Sequence, residues 1–251
     1  MNRTSCAVRA AVAVVFVTSL AACSQDSTGP GTPSFTVKGS SSAPPSGVTN
    51  RLVHMSLLSS ASPRFDQSGG TVVGDPSKVA IGMYAFYLSQ NEDCSAPVAM
   101  TDNGDTPVVK DFAQNPVLFT GSPAAGTYKC VILRISDAMH FESASAGGGC
   151  AQHTDYPMDI YRAPDTDWKD INDEFIVGTG TDASPADDKV YLFASTNPDA
   201  LLTRGISPNQ TLSLTSALTV PGTATFYWNA TNTIDTDGTV CGMEPPQLSF
   251  Q

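Results

Sequence analysis

Five acids crowd into ten residues of this chain: Asp165, Asp167, Asp170, Asp173 and Glu174, with Trp168 among them. Carboxylates at near-alternate positions of a turning loop are the donor set that calcium uses, six to eight oxygens around a bend. The EF-hand order fails, because Lys169 takes the fifth place counted from Asp165 and Phe175 takes the glycine place counted from Asp170. Asp182, Asp187 and Asp188 make a second acidic group. Asp235-Thr236-Asp237-Gly238 makes a third, with the right bend and too few acids after it. Solvated acidic turns with no cofactor are the expected reading, and calcium on the first loop is the alternative.

Trp168 is the recognition candidate, a large aromatic in a polar loop that could offer its face to a glycan or a peptide. Trp228, between Tyr227 and Asn229 in an apolar run, reads as core. The catalytic inventory is thin. His54, His140 and His153 are not spaced as His-x-x-x-His, and His140 shares one strand face with Glu142. There is no Gly-x-Ser-x-Gly elbow. Gly178-Thr179-Gly180 lacks the third glycine and following helix of a phosphate cradle. No spacing among the acids singles out a glycosidase pair.

Six cysteines have different fates. Cys94, Cys130, Cys150 and Cys241 form an even set that an oxidising compartment would join into two disulfides. Four cysteines allow three connectivities, and the spacing does not choose among them. A fold built serially from hairpins favours Cys94–Cys130 and Cys150–Cys241.

Cys23 belongs to a different pattern. Arg3 and Arg9 precede the apolar stretch Ala10–Thr18, which is too short to span a bilayer, and Leu20-Ala21-Ala22-Cys23 follows. This resembles the lipobox of bacterial lipoproteins. The resemblance implies cleavage before Cys23, a diacylglyceryl thioether on its sulfur and an acylated new amino terminus. Ser24 after the cysteine resembles outer-membrane retention. Without residues 1–22 the chain keeps 11 Lys+Arg against 24 Asp+Glu, a net charge of about −13. Such a chain is repelled by nucleic acid and by anionic headgroups, so the acyl chains would hold the membrane.

These residues need a scaffold. From Ser24 to Asn50 the composition is mostly Ser, Thr, Gly and Pro, which reads as a flexible tether about 30 Å across, with an ordered first strand around Phe35–Lys38 as the alternative. From Arg51 onward short apolar runs alternate with Gly, Pro, Asn and Asp. Strands are predicted at Val53–Leu57, Val79–Leu88, Val117–Thr120, Thr127–Ser136, Met139–Glu142, Met158–Arg162, Glu174–Gly178, Lys189–Ser195, Thr211–Val220 and Thr223–Ala230. One helical turn is predicted, with Asn197 as cap, Pro198 first and Gly205 as terminator. Strands in succession with hardly a helix between them exclude parallel crossovers.

The expected fold is all-β, an antiparallel β-sandwich (Ig-like or transthyretin-like) or open barrel with one or two helical turns, in one domain over 51–251. Ala125-Gly126-Thr127-Tyr128, with Val131, Leu133 and Arg134, resembles a phrase of uncharacterised β-sandwich surface lipoproteins, which implies the fold and no activity. The reading that follows is an outer-membrane lipoprotein acting as a non-catalytic binding or adhesion module toward a glycan or an envelope protein. A structural or assembly lipoprotein and an exported hydrolase are the alternatives.

Overall fold

A computed structural model describes residues 33–44, 50–51, 56–57, 71–159, 168–176, 189–236, 238, 240–244 and 246–251. In chain order the strands are β1 Phe35–Ser40, β2 Asn50–Arg51, β3 Ser56–Leu57, β4 Thr71–Gly74, β5 Pro76–Ser89, β6 Val98–Asp102, β7 Val108–Asp111, β8 Val117–Gly121 and β9 Gly126–Tyr128. They continue with β10 Cys130–Ser143, β11 Asp155–Asp159, β12 Lys189–Ser195, β13 Thr211–Ser213, β14 Leu218–Val220, β15 Gly222–Asn229, β16 Ile234–Thr236, β17 Cys241–Met243 and β18 Gln247–Phe250. The helix α1 is Pro198–Arg204, and single 3-10 turns stand at Phe112–Gln114 and Pro208–Gln210.

The long apolar runs become the centre of the larger sheet. β5 and β10 pair antiparallel along nearly their whole length, with Cys130 opposite Ser89 and Ser143 opposite Pro76. β12 and β11 follow one another along the far edge of β10, and β6 and β7 do the same along the far edge of β5. The smaller sheet runs β2-β18-β15-β1-β8, with the two-stranded β14-β9 and three-stranded β17-β16-β4 ribbons at the ends. Alternation places Val79, Ile81, Met83, Phe86 and Leu88 of β5 against this second sheet. Phe86 meets Phe119 of β8 at 5.0 Å and Phe250 of β18 at 6.1 Å between ring centres. The fold is an all-β sandwich.

Two expectations are corrected. The tether does not extend to Asn50: β1 lies inside the smaller sheet, hydrogen-bonded to β15 on one side and β8 on the other. Phe35 and Val37 are its large buried apolar residues, and two such side chains at alternate positions suffice where neighbours supply the remaining surface. Parallel pairing is also present. β1 runs parallel to β15, and β12 runs parallel to β13. The β12–β13 link holds α1, so the one helical turn read from the sequence is itself a crossover of the kind that parallel strands require. Asn197 occupies the cap position, yet its side chain donates to Glu92 Oε2 at 3.1 Å instead of capping. Gly205 ends the helix at φ 87°, with its N–H reaching back to Leu201 and Leu202.

The disulfides are Cys94–Cys130 and Cys150–Cys241, with Cα atoms 5.3 and 4.6 Å apart. They tie opposite ends of the sandwich. At one end β5 finishes beside Cys130, Gly126 stands next to Gln90, and Phe35 opens β1 opposite Gly121 and Gly222. At the other end β5 begins, and Asp75 binds the backbone N–H groups of Asn232 (through Oδ1) and Ala144 (through its carbonyl) close to Cys150. Chain entry and the Cys150–Cys241 bond therefore lie at opposite poles.

Candidate functional site

Trp168 is corrected first. Its side chain is 1% exposed and belongs to the main core, so its face is taken by packing and is not open to a ligand. The polar loop around it covers the outer face of the larger sheet: Lys169 N–H donates to buried Gln210 Oε1 at 2.7 Å, and Gln210 Nε2 donates to Lys169 O and Tyr191 O. Trp228 is fully buried, as its strand pattern implied.

Of the acids read as calcium ligands, Asp165 and Asp167 lie outside the described residues. Asp170 accepts the N–H groups of Asn172 and Glu174 at 2.7 and 2.9 Å, and Asp173 pairs with Arg204 Nε at 2.8 Å. Glu174 is exposed. Among the described residues no group of three or more His, Cys, Asp or Glu is arranged to hold a metal ion. Local turn formation and an arginine occupy these carboxylates individually. The run predicted as a strand from Glu174 contributes one bridge, Lys169 to Phe175. His54 and Cys23 also lie outside the described residues.

A charged row crosses the larger sheet near the Cys150–Cys241 pole. Register puts Lys78 of β5, Glu142 of β10 and Asp155 of β11 side by side. Lys78 Nζ lies 2.9 Å from Asp155 and 3.2 Å from Glu142, and His140 Nδ1 lies 2.6 Å from Asp155 Oδ2. The hydrogen bond to Asp155, with a smaller one to Glu142, holds Lys78 above its ordinary value despite partial desolvation. Burial pushes Asp155 up, but hydrogen bonds from Lys78 and His140 outweigh it and hold the carboxyl below the usual aspartate range. An ammonium kept charged by two carboxylates is a poor nucleophile, so the row suits electrostatic recognition better than covalent chemistry. His153 contacts a different residue, Ser77 Oγ, at 3.2 Å. Among the described residues the two histidine pairs stay separate, and neither forms a three-membered relay.

A second polar cluster lies mid-sheet. Arg134 Nη2 donates to Asp102 Oδ1 at 3.0 Å and to Gly104 O, while its guanidinium covers the Tyr84 ring at 5.5 Å. Lys189 covers the same ring at 5.4 Å and pairs with Asp105. Tyr87 donates to Asp102 Oδ2, and burial pushes its hydroxyl up to about 12. Cations over a ring and acids that anchor them fix the loop 102–105 onto the sheet.

Each pole carries an open hollow. Near Cys94–Cys130 a space of about 510 Å³ is lined by Gln90, Asn91, Glu92, Asp93, Ser95 and Lys129. Its polar groups bond to one another: Asn91 and Asp93 to Ser95, and Glu92 to Lys129 and Asn197. Near Cys150–Cys241 a groove of about 500 Å³ runs between Thr71–Val73 and Gly147-Gly148, with Thr236 and Gly238 on its wall. Val72 stands half-exposed in it. This groove and the charged row share the pole opposite chain entry.

Sequence pattern placed His140 and Glu142 on one face but not beside Lys78 or Asp155, because only the β5–β10–β11 register joins them. Comparison with protein-family models, curated proteins and solved structures finds no match for this chain.

Proposed function

We propose that this chain is a membrane-anchored lipoprotein of the bacterial envelope that acts as a non-catalytic binding module, with the Cys150–Cys241 pole as its recognition end. The sequence Leu20-Ala21-Ala22-Cys23 supplies the anchor. The observation that carries the orientation is that β1 begins, at Phe35, at the pole away from the groove and the charged row. With Cys23 in the bilayer, eleven residues (24–34) separate it from β1. β5 alone, fourteen residues long, then carries the far pole on the order of 40 Å further out. We read the polar hollow at Gln90–Ser95 as the membrane side and the groove as the outward side.

Several acyl chains on one residue, at about 0.8 kcal/mol per buried CH₂, make such an anchor durable without a basic patch. Membrane fractionation tests the reading. Cys23→Ala is expected to move the chain to the soluble fraction or leave it unprocessed. A mature Cys23→Ala chain that stays membrane-bound at the wild-type level would overturn it.

A further inference from the structure

The flank of the larger sheet formed by β6 and β7 is unlike the rest of the surface. Seven large apolar side chains are exposed among the described residues, and Val98, Val108 and Val109 are on these two strands. A fourth, Val117, opens β8, the edge strand of the other sheet on the same flank, where Met100 packs against Gly121. Consecutive strand residues point to opposite faces, so with Val108 44% and Val109 66% exposed, β7 buries neither face at these positions. Both strands pair with β5 along one edge only. Among the described residues no strand is paired with their outer edge.

We propose that this edge accepts an extended segment of a partner protein as an added β-strand, the segment being apolar at alternate positions and net basic between them. Main-chain pairing would supply affinity, and the valines would supply contacts on both faces of the added strand.

Two observations choose this occupant over a second copy of the chain. Charge is the first: the chain has a net −11, so two copies repel, whereas a basic segment is attracted. The second is length. Pro97 and Pro107 stand immediately before β6 and β7, which are five and four residues long, and Lys110 sits within β7. Proline and lysine on an edge block the long sheet-to-sheet pairing of identical chains but leave room for a short strand. This proposal does not rest on lipidation or on the outward groove.

The test uses the full chain and three fluorescein-labelled six-residue probes: alternating Val and Lys, alternating Val and Asp, and the first with a central proline. Fluorescence anisotropy is expected to show the Val/Lys probe binding wild type more tightly, by at least about tenfold, than a Val108→Lys, Val109→Lys double variant. The Asp and proline probes should bind weakly to both chains. Both substituted side chains are exposed, and an unchanged melting temperature confirms the variant's fold. Hydrogen exchange with the Val/Lys probe bound should slow at residues 108–110. Equal affinity for wild type and variant, equal binding of the proline probe, or slowing confined to other strands would overturn the proposal. A wild-type dimer in sedimentation that the double variant disperses would overturn it in favour of a second copy.

Discussion

The two flanks of the larger sheet are finished in opposite ways. On the β12–β13 side, α1 and the 168–176 loop close over Leu201, Ile206, Ile132, Phe193 and the Cys94–Cys130 bond, a satellite core on the outer face. Hydrogen bonds stitch this cover down: Gln210 holds Lys169 and Tyr191, and Arg204 reaches Asp93 O and Ile171 O. Leu214 then bridges to Phe250, joining this flank to the other sheet. On the β6–β7 side, valines face water, and β6 meets β8 through a bond from Thr101 Oγ1 to Thr120 O at 3.4 Å and through Met100 beside Gly121. An edge left apolar and unpaired invites association, and here Pro97, Pro107 and Lys110 limit that to short strands. The covered flank is thus read as the stabilising side and the bare flank as the side available to a partner.

Removing the bond that pins the covered flank should have the largest effect. Cys94 and Cys130 are 36 residues apart, for which loop-closure entropy gives about 4 kcal/mol as an upper figure. In the acyl-free Cys23→Ala chain, adding Cys94→Ala and Cys130→Ala should lower the denaturant midpoint accordingly. An unchanged midpoint would mean that α1 and Gln210 hold the flank without it.

The sharpest contrast comes from one truncation on each side. Leu201 is fully buried under the cover, so Leu201→Ala should cost about 3 kcal/mol through lost burial and a residual cavity. Val109 is exposed, and Val109→Ala should change stability by less than about 0.5 kcal/mol. Equal losses in chemical denaturation would break the comparison.

What the sequence revealed divides along the same line. Runs with strong apolar character, at β5, β8, β12 and β15, were legible, and β12 has the bounds that its pattern predicts, whereas β10 was read as two strands, Thr127–Ser136 and Met139–Glu142. β6 and β7 were not, because an edge strand exposed on both faces has no alternation to read. β1 was legible only as the alternative to a tether, because its surroundings are rich in Ser and Pro. Both disulfides match the pairing that a serial fold favours, although the spacing alone leaves three connectivities open. Trp168 was misread because polar neighbours in sequence say nothing about the main core that its side chain enters, which only long-range packing supplies. The Lys78–Glu142–Asp155 row depends on register between strands distant in sequence, and so no local spacing announces it.

The bare flank still has one point that tolerates no added atom. A Cβ on Gly121 would stand 2.7 Å from Met100 Cγ and 2.9 Å from the Met100 carbonyl oxygen. The side chain can move aside, but the carbonyl belongs to β6. Gly121→Ala should therefore cost about 1–3 kcal/mol by prying β6 from β8. The measurement is a melting curve. No loss would mean that β6 yields freely, and that the flank is looser than its pairing with β5 implies.

The smallest effect belongs to the charged row, which crosses the sheet between the flanks and should add little to either. Asp155 is held below its ordinary 3.8, so its contribution is present above that pH and fades as pH falls through the lower folded value. Lys78 is held above its ordinary 10.5, so its share is complete below that pH and is lost as pH rises through the higher folded value. The stability difference between wild type and Asp155→Asn should therefore be present from about pH 5 to 10. Lys78 and Asp155 are one-third or more exposed, which limits the plateau to under about 1 kcal/mol after solvent screening. The difference should close at both extremes of pH and shrink in high salt. A plateau rivalling the loss at Leu201 would make this row a third structural support. It would also remove the reason for reading its exposed charges as a recognition surface.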